Sequence, residues 1–156
     1  MDPLEHAALS GTDEAAMAAK AEDSPLAMAL LREISAALAD YLETGETAVI
    51  DLKSLPMLDA DRDALADLLG EGEVTATLNV AGESEVRETG YAGVWWVRHF
   101  GADRKLAAEQ IEITAVPEIL LAHRDDIAAA ADRLAASLKT DPPEPMTTLD
   151  RDTHHV

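Results

Sequence analysis

The chain has 156 residues, 47% of them apolar, with 31 acidic against 12 basic side chains and a formal charge of −19. That size suits one domain with tails, and the charge excludes both the basic footprint that nucleic acid demands and attraction to an anionic membrane surface. Cysteine is absent, which excludes a disulfide framework, thiolate catalysis and iron–sulfur ligation and leaves histidine, carboxylate or water for any metal.

Residues 1–23 hold six acids and one lysine among alanine, glycine and serine, with large apolar residues too sparse for a helical stripe. A disordered acidic arm is expected there. Its start lacks the basic and apolar regions of a signal peptide, and no apolar run reaches the length of a membrane span. A soluble, cytoplasmic protein is expected. Ser24-Pro25 then opens a helix, with serine at the cap and proline in the first turn. Leu30, Leu31, Ile34, Ala37, Leu38, Tyr41 and Leu42 follow at helical spacing, and Gly45 ends the run.

The stretch 47–52 is β-rich and predicts a strand buried on both faces. Pro56 keeps residues 53–57 irregular. Asp59 or Asp61 caps a second helix carrying Leu65, Leu68 and Leu69, stopped at Gly70. From Glu73 to Val80 the pattern alternates; Ala81–Ser84 reads as a tight turn and 85–89 as its return strand, which makes a hairpin. Gly90 and Gly93 bracket a turn before a strand over Val94–Phe100. Residues 101–105 form a polar loop, and Ile111–Val116 the last strand, closed by Pro117. A final helix opens at Glu118, with Ile119, Leu120, His123, Ile127, Ala130, Ala131, Leu134 and Leu138 on its apolar side. His123 is expected to be partly buried and hydrogen-bonded. Residues 140–156, rich in proline and acid, form a second disordered tail.

The expected architecture is α+β. About five strands, mainly antiparallel and in αβαββββα order, carry packed helices, and the consecutive strands of 73–116 favour a meander. Residues 24–139 form a single domain between the two arms. Residues 1–23 carry a net −5 and 140–156 a net −3, so −11 remains on that domain.

Glu88–Phe100 holds four of the five aromatic residues. Side chains alternate along a strand, so Val94, Trp96, Arg98 and Phe100 share one face and Trp95, Val97 and His99 the other. One tryptophan fills the core beneath the helices. The second is either covered by a loop or arm, or exposed as the kind of aromatic favoured in protein interfaces. In the exposed case Trp95→Ala or Trp96→Ala weakens partner binding and leaves the protein folded.

Glu71, Glu73, Glu88 and His99 are the one carboxylate–imidazole set this sheet could gather, and their spacing matches no zinc or iron motif. A solvated strand face explains them. Cross-strand ion pairs with Glu85 and Glu88 explain Arg87 and Arg98. A small-molecule or metal-binding domain using Glu71, Glu88, Arg98 and His99 is the alternative reading. His154-His155 offers weak opportunistic metal binding only. No GxGxxG, GxxxxGK(S/T), HExxH or Ser–His–Asp elbow occurs, so no cofactor and no enzymatic activity are expected.

Three separated blocks carry a resemblance: Leu68 to Val74, Arg87 to Arg98, and Ile111 to Ile113 followed by Val116 to Leu120. In this order they resemble the C-terminal conserved region of HupH/HyaF-type hydrogenase expression proteins, over about residues 45–140. The resemblance implies a cytoplasmic, chaperone-like accessory protein of nickel–iron hydrogenase assembly. Its implied partners are a structural-subunit precursor and other accessory proteins. No catalytic residues are implied. Tyr91, Trp95, Trp96, Arg98, His99, Glu71 and Glu88 are the candidates for protein interaction. Gly70, Gly72 and Gly93 match as scaffold. The chain is shorter than many members of that family, consistent with a single-domain relative or one that pairs with itself as a homodimer.

Overall fold

The computed structural model describes residue 15, residues 23–79 and 81–140, and residue 145. The arm and tail expected at 1–23 and 140–156 lie, but for those few positions, outside the described residues. The chain divides into two compact units, Met1–Pro117 and Glu118–Val156.

In the first unit, α1 (Pro25–Thr44) and β1 (Ala48–Asp51) are followed by α2 (Asp59–Leu69). Four strands come next: β2 (Thr75–Asn79), β3 (Glu83–Glu88), β4 (Val94–Phe100) and β5 (Leu106–Ile113). The sheet order is β1-β5-β4-β3-β2, and all four pairings are antiparallel. The expected meander is therefore present as β2–β5. β1 joins its far edge beside β5, so the connection from β1 to β2 must traverse the sheet, and α2 lies on that connection.

Local signals explain the helices. Ser24 Oγ accepts the Ala27 amide at 3.0 Å, Pro25 occupies the first turn, and Gly45 closes α1 at φ 75° with its amide on the Tyr41 carbonyl. The start of α2 differs from the expected cap. Leu58 holds the cap position, and Asp61 reaches back from the first turn, accepting the Leu58 amide at 3.0 Å. Its other oxygen accepts Ser24 Oγ at 2.8 Å, so one carboxylate ties the starts of both helices together. These two hydrogen bonds hold the Asp61 carboxyl below its ordinary 3.8.

The core is aliphatic. Leu30 and Ile34 of α1, Leu65, Leu68 and Leu69 of α2, Ile50, Ile111 and Ile113 of the sheet, and Leu52 just after β1 surround Val94 and Trp96. Each fully buried side chain of this kind contributes about 1.5–3 kcal/mol, which lets the domain do without many aromatics.

Further expectations are corrected. β1 is an edge strand buried on one face: Ile50 is enclosed while Val49 is exposed. β5 begins at Leu106, five residues before the expected start, because pairing of Leu106 and Ala108–Ile113 with β4 overrides the weak strand preference of Ala-Ala-Glu-Gln. In the second unit, residues 118–120 form a 3-10 turn and the helix, α3, runs Arg124–Thr140. His123 precedes it and is exposed; its Nδ1 accepts the Asp125 amide at 3.2 Å. Ile127, Leu134 and Leu138 are exposed, not buried.

The first two motif blocks interlock through their backbones. The Gly72 amide donates to the Glu88 carbonyl and the Gly90 amide to the Leu69 carbonyl, each at 2.9 Å. A Cβ at Gly72 would stand 2.5 Å from the Thr89 carbonyl oxygen. Gly72→Ala is expected to lower the unfolding free energy by about 1–3 kcal/mol. Gly45→Ala, with open space but a positive φ, costs about 1 kcal/mol. Urea titration of both variants checks this; a neutral Gly72→Ala would show that the blocks do not need that close approach.

Candidate functional site

On the helix-covered face of the sheet, Trp96 and Arg98 of β4 lie two residues apart, so both point the same way. Arg98 pairs directly with Glu109 of β5. The Glu109 side chain is 1% exposed. Its Oε1 accepts Arg62 Nε from α2 at 2.5 Å, and its Oε2 accepts Arg98 Nε at 2.7 Å and Trp96 Nε1 at 3.2 Å. The Arg98 guanidinium also stands 5.5 Å over the Trp96 ring, a cation–π contact. Burial alone would raise the Glu109 carboxyl. The Arg62 and Trp96 hydrogen bonds, with the charges of Arg62 and Arg98, outweigh it and hold the group below its ordinary 4.5. Two partly exposed cations around one buried anion form a closed ionic clamp in which both carboxylate oxygens are satisfied.

Beside this clamp the surface has two shallow hollows. One, of about 270 Å³, is bordered by Gly70, Glu71, Arg87, Thr89 and the edge of Trp96. The other, of about 290 Å³, is apolar and lies between Leu31, Ile34 and Leu38 of α1, Leu69 of α2 and the ring of Tyr91. They adjoin at Leu69–Gly70. The turn that presents Tyr91 is fixed by Thr89, whose hydroxyl donates to the Val94 carbonyl at 2.9 Å. Tyr91 is 47% exposed.

The candidate residues separate into three groups. Tyr91 and Glu71 are exposed at the hollows, where Glu71 lies 3.6 Å from Arg87. Both tryptophans are buried, Trp95 at 6% and Trp96 at 3% exposure. Trp95, on the opposite face, donates Nε1 to the Thr114 carbonyl at 3.1 Å. Neither ring stands out as an exposed anchor, and truncating either empties packed volume, a loss of about 3–5 kcal/mol. Arg98 belongs to the clamp and pairs with Glu109, where Glu85 and Glu88 were expected. His99 bonds Ser84 Oγ through Nδ1 at 2.8 Å.

The set Glu71, Glu73, Glu88 and His99 does not converge. Glu88 sits opposite Trp95 in the β3–β4 register, whereas His99 sits opposite Ser84, roughly 13 Å along the strand. Among the described residues no three histidine, aspartate or glutamate side chains come together as a metal site.

Sequence reasoning missed Glu109 and Arg62. The signal for Glu109 was available: carrying the period-two pattern of Ile113 and Ile111 two residues further back places a glutamate on the buried face. A carboxylate there requires a cationic partner. Nothing in the sequence marks Arg62 as that partner, since it stands 47 residues away on another element.

The family model described as "HupH hydrogenase expression protein, C-terminal conserved region" matches residues 26–140. Among named relatives, the chain is 34% identical over 113 residues to hydrogenase expression/formation protein HupH of Rhodobacter capsulatus, covering 72% of this chain and 41% of that protein. It is 34% identical over 85 residues to HoxQ of Azotobacter vinelandii (54% and 30%) and 35% identical over 86 residues to hydrogenase-1 operon protein HyaF of Escherichia coli strain K12 (55% and 30%). The chain thus spans about a third of the length of these curated relatives. A solved structure, hydrogenase expression protein HupH from Thiobacillus denitrificans, superposes with a TM-score of 0.70 at 42% identity, over 72% of this chain and 94% of that one.

The clamp carries a testable energy. Glu109→Gln leaves two arginines facing a neutral amide and is expected to cost about 2–3 kcal/mol near neutral pH, below the ~3–5 kcal/mol of a fully buried pair because the arginines reach solvent. A carboxyl held low in the folded state stabilises it above the unfolded value and loses that contribution as pH falls through the folded one. The loss therefore falls below pH 4.5. Urea midpoints from pH 7 to pH 3 should show wild type and Glu109→Gln converging over that acidic range; a constant difference would refute the assignment.

Proposed function

The chain belongs to the family of HupH hydrogenase expression proteins, through that family's C-terminal conserved region, and on that footing we propose that it is an accessory protein in the formation of a nickel–iron hydrogenase. It acts by binding a structural-subunit precursor or another maturation protein in the cytoplasm, not by catalysis. The observation that carries this reading is the family match over residues 26–140, which takes in α1, α2, the whole sheet and both hollows.

The surface supports a binding role. The apolar hollow between α1 and Tyr91 gives a partner side chain somewhere to bury, and Glu71 and Arg87 beside it supply polar contacts that fix orientation. The clamp and the buried tryptophans hold that surface from beneath. The acidic charge of the domain favours a partner with a basic surface and speeds its approach.

Two measurements test the proposal. Deleting the gene is expected to reduce mature hydrogenase while the structural-subunit transcripts persist; normal hydrogenase activity in the deletion strain would sink it. Tyr91→Ala, at an exposed turn, is expected to weaken co-purification with the subunit precursor by about tenfold with an unchanged urea midpoint. Undiminished capture by this variant would remove the Tyr91 hollow from the binding surface.

A further inference from the structure

The sheet ends on an unprotected edge. Among the described residues no strand pairs with the outer side of β2, and its register with β3 runs without a bulge from Thr75 to Asn79. Natural edge strands are blunted by charge, proline or a bulge, because their unpaired backbone groups recruit further strands. β2, Thr-Ala-Thr-Leu-Asn, has none of these. It is the one strand of this sheet without an ionisable side chain, in a chain of formal charge −19. β1, at the far edge, is shorter and ends on Asp51.

One hydrogen bond sets the direction of the free backbone groups. The Glu88 amide donates to the Val74 carbonyl at 2.9 Å, and Thr75 lies opposite Arg87, so Val74 and Glu88 face each other as a hydrogen-bonded pair. Alternation along an antiparallel ladder then turns the N–H and C=O of Ala76 and Leu78 inward to β3 and those of Thr75, Thr77 and Asn79 outward. The side chains of these three outward residues are exposed on the helix-covered side of the sheet, and half-buried Ala76 and Leu78 lie on the other.

We propose that β2 pairs antiparallel with β2 of a second copy of this chain, about a two-fold axis at Thr77, so that two sheets become one. In that register Thr77 meets Thr77 of the partner subunit, and Thr75 meets Asn79 of the partner subunit. Every outward residue faces an outward residue, and each pair exchanges both of its hydrogen bonds. Thr–Thr is among the favourable cross-strand pairs. On the other face Ala76 comes opposite Leu78 of the partner subunit, small against large. Charges first appear one strand further in, where the outer rows set Glu83 toward Arg87 of the partner subunit and the central row sets Glu85 toward Glu85 of the partner subunit. All of these stand three strand spacings apart, roughly 14 Å, beyond the screening length of about 8 Å at physiological salt. The like pair therefore does not oppose the contact, and the uncharged pairs at the edge decide it. A basic strand from another protein would find no acid on β2, whereas an identical strand answers it residue for residue.

Sedimentation equilibrium of the full chain over a wide concentration range tests this. One strand pair is a small contact, so a dimer that dissociates on dilution is expected. Thr77→Lys and Thr77→Glu each set like charges across the axis and should raise the dissociation constant about fivefold, with unchanged urea midpoints. An equimolar mixture of these two variants should associate at least as tightly as wild type, since lysine then faces glutamate. Thr77→Pro, which removes an outward amide and no bond to β3, should weaken association at least about tenfold. A monomer at every concentration would overturn the proposal, as would a dimer indifferent to all three substitutions or a mixture no tighter than its components. A monomer whose Thr75, Thr77 and Asn79 amides resist hydrogen exchange would overturn it in favour of another part of the same chain lying along β2.

Discussion

The buried carboxylate of Glu109 is the constraint on which the ordered sheet depends. A charge taken this far from water costs several kcal/mol unless it is met by partners, and here they come from two elements: Arg62 from α2, Arg98 and Trp96 from β4. The requirement dictates where α2 lies over the sheet, since Arg62 must reach β5. It also dictates the facing of β4, since Trp96 and Arg98 must share the side of Glu109. Oil-like burial could place α2 with some freedom of rotation and slide. A hydrogen-bonded ion cluster removes that freedom, because a shift of an ångström leaves a buried charge unpaired.

From that fixed placement the outer surface is built. The C-terminal end of α2 leads Gly72 to the β3–β4 turn, where backbone hydrogen bonds and close contacts leave no room for a side chain at Gly72 or Gly90. That junction forms the wall between the polar hollow at Glu71 and Arg87 and the apolar hollow under Tyr91. At the other end of α2, Asp61 bonds Ser24 and aligns α1, which supplies the opposite wall. A surface held at both ends is preorganised, which lowers the ordering cost of the docking proposed for it. In this respect the two tryptophans contribute from inside, by keeping β4 in register and packed on both faces.

Much of the architecture was legible in the residues. Ser24-Pro25 and Gly45 marked α1, the alternating run 73–80 marked β2, the turn after it marked β3 as its return strand, the run after Gly90 and Gly93 marked β4, and their short connections implied neighbouring strands. Strand alternation also put Trp96 and Arg98 on one face, with Trp95 on the other. What misled was composition without context. Leu106–Gln110 reads as weak strand material, yet its ladder partners in β4 hold the full β5 in place, and the missed half carried the residue around which the clamp forms. The apolar spacing of 127–138 suggested a buried helix face, and those residues prove exposed. Spacing says that a helix has an apolar stripe; it does not say what the stripe meets.

By itself the sequence determined the element types, the antiparallel meander, the absence of thiol chemistry and the order of three motif blocks by which the family is recognised. These are properties of local pattern: caps, periods, glycines and composition act over a few residues and need no distant partner. The tertiary structure alone decided which charges meet, that both tryptophans are enclosed, that the carboxylate–imidazole set is scattered, and that Arg62 serves Glu109. Such outcomes depend on distances between residues far apart in the chain, which only the assembled sheet and its helices establish.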